Sequence, residues 1–415
     1  MRGRQVVVIG AGMVGLATAW HLRRRGANVT VIEREEPAAG SSWGNAGWLS
    51  PALAVPLAEP SILRYGLRTL SDPDSALYVP IPPSPQVLKF FLAFARRCTI
   101  DQWHATMAHY IPLNRRALEA FDTMGQAFDG TSAGETHAAP IWAAFRSPAD
   151  TADLDREFRL IRESGLDLQA EAVSASTLRE QFDFLTDEIG AGVRIDGQRH
   201  IDAAAYVHAL AAAVVDDGVE LRTDTEVARV RRRGNHVVCH LRSGEVVAAE
   251  DVVIANGAWM PHLARDHGVR TTLIAGRGYS FQVDAGGPVP APLYLPVQRV
   301  ACTPVGDRFR IAGTMEFRGV DAAFDHDRIG AIIRSIEPFM SGINFDERTD
   351  EWVGSRPVTA DSLPLVGPTR TPGVWVAGGH GMWGVTLGPI TGELLAEWID
   401  TGTPDPALKA LDPLR

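Results

Sequence analysis

The chain begins with a strand, a glycine turn and a helix in direct succession: Gln5-Val-Val-Val-Ile9, Gly10-Ala-Gly-Met-Val-Gly15 and Leu16-Ala-Thr-Ala-Trp-His-Leu-Arg23. A short apolar run bounded by glycine is typical of a buried strand. The first glycine permits a tight turn, the second lets the backbone approach a pyrophosphate, and the third lets the helix pack close to the strand. The helix then presents free N–H groups and its positive dipole end to the phosphates. This stretch therefore predicts a dinucleotide-binding fold.

A carboxylate narrows the choice of dinucleotide. The second apolar run, Asn28-Val-Thr-Val-Ile32, ends in Glu33, eighteen residues beyond Gly15. A carboxylate there can accept hydrogen bonds from ribose hydroxyls, and it would repel a 2′-phosphate. FAD or NAD therefore fits the motif and NADP does not. A flavin monooxygenase is disfavoured, because beyond Gly10–Gly15 and the C-terminal glycine-rich stretch Gly379–Gly384 the sequence has no further GxGxxG motif for NADPH.

Composition excludes several classes of protein. A length of 415 residues favours two domains, and a net charge of −10 argues against binding to nucleic acid. The three cysteines form no CxxC pair, which excludes a thiol–disulfide oxidoreductase and a cysteine-based zinc site, and we expect no metal. No uncharged run reaches the roughly 18 residues needed to span a bilayer. We therefore expect a soluble protein in the reducing cytoplasm.

Two later segments repeat the pattern of a strand that leads into a glycine turn. Asp251-Val-Val-Ile-Ala255 precedes Asn256-Gly, and Val374-Trp-Val-Ala377 precedes a glycine-rich stretch. One parallel sheet assembled from remote parts of the chain explains all three. The sequence thus predicts an α/β fold with a Rossmann-like FAD-binding domain and a substrate domain that has helices and a mainly antiparallel sheet. The predicted FAD-binding domain comprises 1–50, 197–275 and 345–415, and the predicted substrate-binding domain comprises 51–196 and 276–344.

The segment Val87-Leu-Lys-Phe-Phe-Leu-Ala-Phe-Ala-Arg-Arg97 has apolar and basic residues at helical spacing. Such a helix can lie in a membrane interface. The interpretation that we favour is a helix that packs inside the substrate domain. Peripheral contact with the inner face of a membrane stays the alternative.

Four motifs resemble the D-amino-acid oxidase superfamily of FAD-dependent oxidoreductases, and most closely its bacterial D-amino-acid dehydrogenase branch. They follow one another in the order of that superfamily and cover the predicted FAD-binding domain. In the predicted substrate domain only Gly278-Tyr-Ser280 stands out. The motifs are Gly40-Ser-Ser-Trp-Gly-Asn-Ala-Gly-Trp-Leu-Ser-Pro51, Ala255-Asn-Gly-Ala-Trp259, Gly354-Ser-Arg-Pro-Val-Thr-Ala-Asp-Ser-Leu-Pro-Leu-Val-Gly367 and Gly379-His-Gly-Met-Trp-Gly-Val-Thr-Leu-Gly-Pro-Ile-Thr-Gly392.

The resemblance implies that the dinucleotide is FAD. Serine hydroxyls would meet the pyrophosphate, small residues would let the isoalloxazine lie against the backbone, and the last motif would offer N–H groups to the flavin. Segments 40–50 and 350–368 contain no Cys or His, so we expect FAD to be bound without a covalent link. The predicted cofactor-binding residues are Gly10, Gly12, Met13, Val14, Gly15, Glu33, Arg34, Ser41, Ser42, Ala46, Gly47, Trp48, Val227, Ala255, Gly257, Trp259, Gly379, His380, Gly381, Met382, Trp383, Gly384, Val385 and Thr386.

Arg356 is the main candidate for substrate recognition. In the resembling family the arginine of the Gly-x-Arg-Pro motif binds the carboxylate of an amino acid, and a planar guanidinium can meet both oxygens at once. Tyr279 is the second candidate, as a hydroxyl that closes over the carboxylate or the amine. For His380, the motif position favours backbone contact with flavin over proton transfer.

The resemblance implies oxidation of an amino acid, with a D-amino acid as the preferred substrate. Hydride would pass from Cα to flavin N5, and the imino acid would hydrolyse to a 2-oxo acid. A quinone, an electron-transfer protein or oxygen would take the electrons. Some amine oxidases of the superfamily promote oxygen reduction with a lysine above the flavin, but this chain has only Lys89 and Lys409.

The alternatives are oxidation of a secondary amine (proline, hydroxyproline or an N-methyl amino acid), an NAD-linked dehydrogenase, and a flavin-bearing subunit of a larger complex. The oligomeric state stays open.

Overall fold

The computed structural model describes residues 1–69, 72–80, 82–128 and 132–415. Most strands are short and buried, as expected for strands that lie in the interior of an α/β protein. In chain order the strands are β1 (Gln5–Ile9), β2 (Asn28–Ile32), β3 (Trp48–Leu49), β4 (Leu77–Tyr78), β5 (His137–Ala138), β6 (Ile141–Phe145), β7 (Ala170–Ser174), β8 (Ala191–Ile195), β9 (Arg199–His200), β10 (Glu220–Arg222), β11 (Val227–Arg233), β12 (His236–Leu241), β13 (Val246–Ala249), β14 (Asp251–Ile254), β15 (Leu273–Val283), β16 (Leu293–Leu295), β17 (Val300–Val305), β18 (Arg308–Glu316), β19 (Thr349–Thr359), β20 (Leu365–Pro368) and β21 (Val374–Gly378).

Several helices begin where the sequence supplies a side-chain cap. Thr99, Ser174 and Asp202 each accept a hydrogen bond from a backbone N–H group in the first turn of the helix that follows. Such caps satisfy donors that have no partner within the helix. The helices are α1 (Met13–Arg24), α2 (Pro60–Thr69), α3 (Pro85–Ala95), α4 (Ile100–Met124), α5 (Ala152–Glu163), α6 (Ala175–Gln181), α7 (Ala203–Asp216), α8 (Met260–Ala264), α9 (His326–Ile336) and α10 (Gly384–Thr401).

The first glycine turn lies at the edge of a six-stranded sheet with the order β10-β2-β1-β14-β21-β20. All neighbouring strands in it are parallel except β20 and β21, which are antiparallel. The carboxyl ends of β1, β2, β14 and β21 therefore meet at one edge, which is where open parallel sheets bind ligands. The prediction of one parallel sheet assembled from remote segments is confirmed.

The second large sheet has nine strands in the order β19-β15-β18-β17-β16-β6-β8-β7, with β4 paired to β18. Its strands are antiparallel except at the β16–β6 and β18–β4 pairs. The predicted mixed α/β class with a mainly antiparallel second sheet is thus confirmed. The division into two domains stays a prediction, and β19, which carries Arg356, pairs with β15 of this sheet.

Helices α1 and α10 pack against each other closely because α10 has glycine at the contact. A Cβ atom at Gly392 would lie 2.6 Å from the backbone of Ala17, and one at Gly388 would lie 2.6 Å from the Met13 side chain. This close packing brings the start of each helix to the same side of the six-stranded sheet.

Helix α3 packs with one face and leaves the other to solvent. Phe90 and Phe94 are buried in a cluster with residues of β15 and β19, whereas Leu88 and Leu92 are 53% and 55% exposed. The helix therefore packs in the fold, as we favoured, and also keeps an apolar outer face. Across the described ranges, no helix combines the length and the apolar character that crossing a membrane requires.

Candidate active site: a dinucleotide cleft with an arginine at one end

A long cleft runs along the carboxyl ends of β1, β2, β14 and β21. It encloses about 1390 Å³ of space, counted to its open mouth. The lining includes, from the predicted site residues, Gly10, Gly12, Met13, Val14, Glu33, Arg34, Ser41, Ser42, Val227, Ala255, Gly257, Trp259, Arg356, His380, Gly381, Met382, Gly384 and Val385.

The glycine turn has no room for side chains. Gly10 has a φ of +110°, and a Cβ atom there would lie 2.7 Å from the carbonyl oxygen of Ala255. A Cβ atom at Gly15 would lie 1.9 Å from the carbonyl oxygen of Gly10. The turn therefore keeps strand, helix and cleft wall in close contact, as the spacing of the motif requires.

Two side chains fix the turn against the rest of the cleft. The N–H group of Met13 donates to Oγ of Ser42 at 3.2 Å, and the N–H group of Ala11 donates to Oε2 of Glu33 at 2.7 Å. Helix α1 begins at Met13, and its N-cap residue Gly12 makes no side-chain cap, so the N–H groups that follow Met13 in the first turn are open to a ligand. Such an open helix start with a neighbouring hydroxyl fits a pyrophosphate.

Helix α10 provides a second open helix start at the other end of the cleft. Its N-cap residue, Trp383, makes no side-chain cap; instead its indole N–H group donates to the carbonyl oxygen of Val55 at 2.9 Å. The preceding turn needs glycine, because Gly379 and Gly381 have φ values of +74° and +57°. A helix start of this kind stabilises negative charge.

His380 is buried between this turn and α10. Its Nε2 atom lies 2.9 Å from Oγ1 of Thr391, and its Nδ1 atom has no hydrogen-bond partner among the described residues. Burial lowers the pKa of His380 to about 4, so the ring is neutral at pH 7. The free ring nitrogen of a wall residue is a buried polar atom that a bound cofactor or water can satisfy.

The segment that was predicted to face the flavin is held from behind by the nine-stranded sheet. Oγ of Ser280 donates to the carbonyl oxygen of Gly44 at 2.8 Å, and Oγ1 of Thr303 donates to that of Ala46. Gly47 has a φ of +73°, and a Cβ atom there would lie 2.1 Å from the carbonyl oxygen of Ile201. The backbone of this segment is therefore fixed, and the close contact with Ile201 requires glycine at position 47.

Arg356 reaches the cleft from β19. Its Nη1 atom donates to the carbonyl oxygen of Thr314 at 3.0 Å, and its guanidinium packs over Gly278. Burial lowers its pKa to about 10, so it stays charged at pH 7. Among the residues that the structure describes, no carboxylate lies within 4.0 Å of it. A partly buried cation without an anionic partner is costly, and an anionic ligand in the cleft would offset this cost.

Backbone contacts place Arg356 beside the turn before α10. The N–H group of Gly381 donates to the carbonyl oxygen of Pro357 at 2.9 Å, and Val358 forms a bridge to His380. The arginine and the open start of α10 therefore lie at the same end of the cleft. The carbonyl oxygen of Trp48 also accepts from Oγ1 of Thr386 at 2.9 Å, which ties the start of β3 to this end.

The structure does not bring Tyr279 to the cleft. Its ring is fully buried on the opposite face of β15, and its hydroxyl donates to Oε2 of Glu316 at 2.7 Å. Glu316 also pairs with Arg277 and Arg318, at 3.2 and 2.9 Å. Contact between Tyr279 and a substrate stays a prediction that this geometry does not support, because the hydroxyl already has a charged partner.

The remaining predicted residues lie behind the lining or beside it. Gly379 and Trp383 line a smaller adjoining cavity with Val55 and Tyr110. Gly15, Ala46, Gly47, Trp48 and Thr386 are not part of the lining of the main cleft. They support its walls through the contacts described above.

Sequence reasoning missed several polar side chains of the lining, among them Glu226, Arg242 and Asn45. Arg242 donates to both carboxylate oxygens of Glu226 at 2.6 and 2.7 Å, and this pair lies at the cleft beside Val227. The Arg242 guanidinium holds the pKa of Glu226 below its ordinary value. Only the pairing of β11 with β12 brings the two together, so local sequence gave no signal. Asn45 lay inside a quoted motif, and its Oδ1 atom accepts from the N–H group of Gly47 at 2.9 Å.

Comparisons with known proteins show the family to which the chain belongs. Residues 5–398 match the family described as FAD dependent oxidoreductase. The chain is 31% identical over 405 residues to a D-amino acid dehydrogenase of Paramagnetospirillum magneticum, covering 95% of this chain and 94% of that protein. It is 28% identical over 410 residues to the D-amino acid dehydrogenase of Cereibacter sphaeroides, covering 97% and 93%.

A solved structure shares the fold at low sequence identity. Glycine oxidase from Geobacillus kaustophilus superimposes with a TM-score of 0.74 at 20% identity, over 99% of both chains. The open helix starts, the glycine turns and the carboxylate of Glu33 fit the cofactor that the family description names. The chain belongs to the family of FAD dependent oxidoreductases, and FAD is its cofactor.

Proposed function

We propose that the protein is an FAD-dependent dehydrogenase that oxidises the CH–NH₂ group of a D-amino acid. The product is an imino acid, which water converts to a 2-oxo acid. The observation that carries the proposal is the guanidinium of Arg356, which lines the cleft and has no carboxylate partner in the described part of the chain. The name D-amino acid dehydrogenase, which the curated relatives carry, supports the choice of substrate.

Arg356 binds the substrate carboxylate. A carboxylate matches the planar fork of a guanidinium, and hydrogen bonds between charged groups contribute about 1.5–3 kcal/mol. Thr314 occupies one donor of the guanidinium through its carbonyl oxygen, which leaves other donors for the ligand. The contact therefore fixes the orientation of the amino acid, and oxidation at Cα depends on such orientation.

The surrounding residues prepare the reacting end of the cleft. When bound, FAD accepts the two electrons and the hydrogen that leave the amino acid. The start of α10 directs N–H groups and the positive end of its dipole to this region, which favours negative charge there. His380 is neutral at pH 7 and keeps its hydrogen bond to Thr391, so it holds the turn in place and adds no charge.

A quinone or an electron-transfer protein takes the electrons in this proposal. The lining of the cleft includes no lysine; Lys89 and Lys409 lie elsewhere. The device by which some superfamily oxidases promote oxygen reduction is therefore missing from the lining. This supports a dehydrogenase over an oxidase.

The outer face of α3 supports peripheral contact with a membrane, where a quinone would be available. Leu88 and Leu92 are more than half exposed, and Lys89, Arg96 and Arg97 lie exposed around them. Apolar and basic side chains together favour an anionic lipid surface. Co-sedimentation with vesicles of phosphatidylglycerol should fall when Leu88 and Leu92 are both changed to Ser. Binding that is unaffected by this change would contradict the membrane contact.

The test of the proposed reaction is anaerobic bleaching of the visible flavin absorbance. Purified holoprotein is mixed with D-, L- and N-alkyl amino acids in the absence of oxygen. We expect bleaching by D-amino acids with a free amino group. Bleaching by N-alkyl amino acids or proline alone would favour oxidation of a secondary amine, which the same carboxylate anchor would allow. Repeating the reaction in air with peroxide detection separates an oxidase from a dehydrogenase.

A further inference from the structure

Residues 317–325, which connect β18 to α9, form a segment that touches both the ion-pair cluster inside the nine-stranded sheet and the rim of the dinucleotide cleft. We call it the bridging segment. We propose that Asp321 in this segment is a positioning residue for FAD, because it fixes Trp259 and Arg34 at the wall of the cleft.

The backbone of the bridging segment is held from inside the protein. Nη2 of Arg277 donates to the carbonyl oxygens of Ala322 and Ala323 at 2.7 and 3.0 Å. Arg277 itself is 1% exposed and pairs with the fully buried Glu316 at 3.2 Å. A buried guanidinium with a carboxylate partner and two carbonyl partners has little freedom, so the segment has a fixed position.

The same segment is attached to the strand that carries the substrate arginine. Oγ of Ser355, next to Arg356, donates to the carbonyl oxygen of Val320 at 3.1 Å. The residue that follows, Asp321, is therefore positioned by β19 on one side and by Arg277 on the other. Its side chain is 67% exposed, so it is not part of the core.

Asp321 meets two residues of the cleft. Oδ1 of Asp321 accepts a hydrogen bond from Nε1 of Trp259 at 2.8 Å and lies 3.8 Å from Nη1 of Arg34. The guanidinium of Arg34 lies over the Trp259 ring, with 4.5 Å between Cζ and the ring centroid. Arg34 also pairs with Glu35 at 2.6 Å. Trp259 and Arg34 both line the cleft, near the ribose-side carboxylate of Glu33.

These contacts point to an effect on cofactor binding more than on folding. Exposed ion pairs contribute little to stability. Binding, however, is weakened when a ligand must first order long side chains, because that ordering costs conformational entropy. Two side chains that already hold one arrangement avoid this cost. Removing the acceptor oxygen of Asp321 should therefore weaken FAD binding while the fold is retained. The inference depends on FAD as cofactor and is independent of the substrate.

The experiment measures the rate at which FAD leaves the holoprotein after dilution, from the rise in flavin fluorescence. We expect Asp321→Ala and Trp259→Phe each to accelerate release about 3- to 10-fold, the equivalent of one hydrogen bond. The double variant should be no faster than the faster single variant, since both remove the same contact. Asp321→Asn keeps the acceptor oxygen and should stay close to wild type.

Asp307→Ala is the matched control, because Asp307 is exposed in the turn between β17 and β18 and loses the same charge. It should release FAD at the wild-type rate. Unchanged release from both Asp321→Ala and Trp259→Phe, or an additive double variant, would overturn the proposal. So would equal acceleration by Asp321→Asn and Asp321→Ala. No substrate is added, so the result does not depend on whether amino acids bleach the flavin.

Discussion

The guanidinium of Arg356 occupies the space that a side chain at Gly278 would fill. A Cβ atom at Gly278 would lie 2.1 Å from Cζ and Nη2 of Arg356. The two residues lie on the paired strands β19 and β15, where Gly278 is opposite Gly354 and Arg356 is opposite Gly276. Arg356 therefore depends on a glycine that is distant in sequence and lies two register positions along β15.

Gly278→Ala should damage substrate binding more than folding. The new methyl group would displace the guanidinium, and the loss of a charge-assisted contact predicts a rise of about 10- to 100-fold in KM for amino acids. Steady-state kinetics with an artificial electron acceptor measures this change. Gly287→Ala is the control, because a Cβ atom there meets no atom within 4 Å. An unchanged KM would show that Arg356 is not the anchor or tolerates displacement.

Arg356→Lys should raise KM although it keeps the positive charge. An ammonium cannot meet both carboxylate oxygens with a planar fork, so we expect an increase of about 10-fold or more. The flavin absorbance per protein should stay at the wild-type level, because the glycine turn and α1 are unaffected. Arg233→Lys, on the exposed part of β11, serves as control. If Arg356→Lys left KM at the wild-type value, the carboxylate would have to bind elsewhere.

Tyr279→Phe should lower stability and leave KM for the substrate unchanged. Burial, reinforced by the hydrogen bond to Glu316, raises the pKa of Tyr279, so its hydroxyl stays protonated and donates. A hydrogen bond to a charged group contributes about 1.5–3 kcal/mol, which denaturant unfolding can measure. Glu316→Gln should cost more, since it leaves the buried charge of Arg277 without its partner. A higher KM with normal stability in Tyr279→Phe would instead support its predicted contact with the substrate.

Local sequence patterns predicted the glycine turn at one end of the cleft. At the Arg356 end, the pairing of strands that are distant in sequence determines which side chains face the cleft. The glycine turn at Gly10 could be recognised because strand, turn and helix are consecutive. Gly278 and Tyr279 are also consecutive, but they face opposite sides of β15, and no sequence pattern told us which side faces the cleft. A register shift between β15 and β18 at this point makes simple alternation uninformative.

The contact between Trp352 and Gly44 likewise could not be predicted from local sequence patterns. A Cβ atom at Gly44 would lie 2.2 Å from the Trp352 indole, and these residues are far apart in sequence. Gly44 was part of a recognised motif, but its neighbour depends on the position of β19 in the second sheet. Local patterns carry no information about such a contact, because it is formed only when the two sheets pack.

His21 should make stability fall as the pH is lowered. Burial, and next the nearby Arg25 and Arg24, lower its pKa from 6.5 to about 4. The unfolded chain then binds a proton below pH 6.5 that the folded chain binds only near pH 4. The free energy of unfolding therefore decreases as the pH falls from about 6.5 to about 4. The cost is roughly 2 kcal/mol at pH 5. Urea unfolding at pH 7 and pH 5 should show that His21→Gln reduces this loss. The exposed His236→Gln is the control, and an equal effect of both variants would contradict the assignment.

Gly15→Ala should abolish FAD binding without unfolding the protein. The methyl carbon would lie 1.9 Å from the carbonyl oxygen of Gly10, so α1 must move away from β1 and the open start of the helix leaves the pyrophosphate site. Overpacking of this kind costs about 1–3 kcal/mol of stability, which a chain of this size survives, whereas the cofactor loses its N–H donors. The ratio of visible flavin absorbance to protein absorbance, together with circular dichroism, measures both effects. Gly125→Ala makes the same chemical change where a Cβ atom meets nothing within 4 Å, and it should retain FAD. Full flavin content in Gly15→Ala would mean that the close contact between helix and turn is not needed for the cofactor.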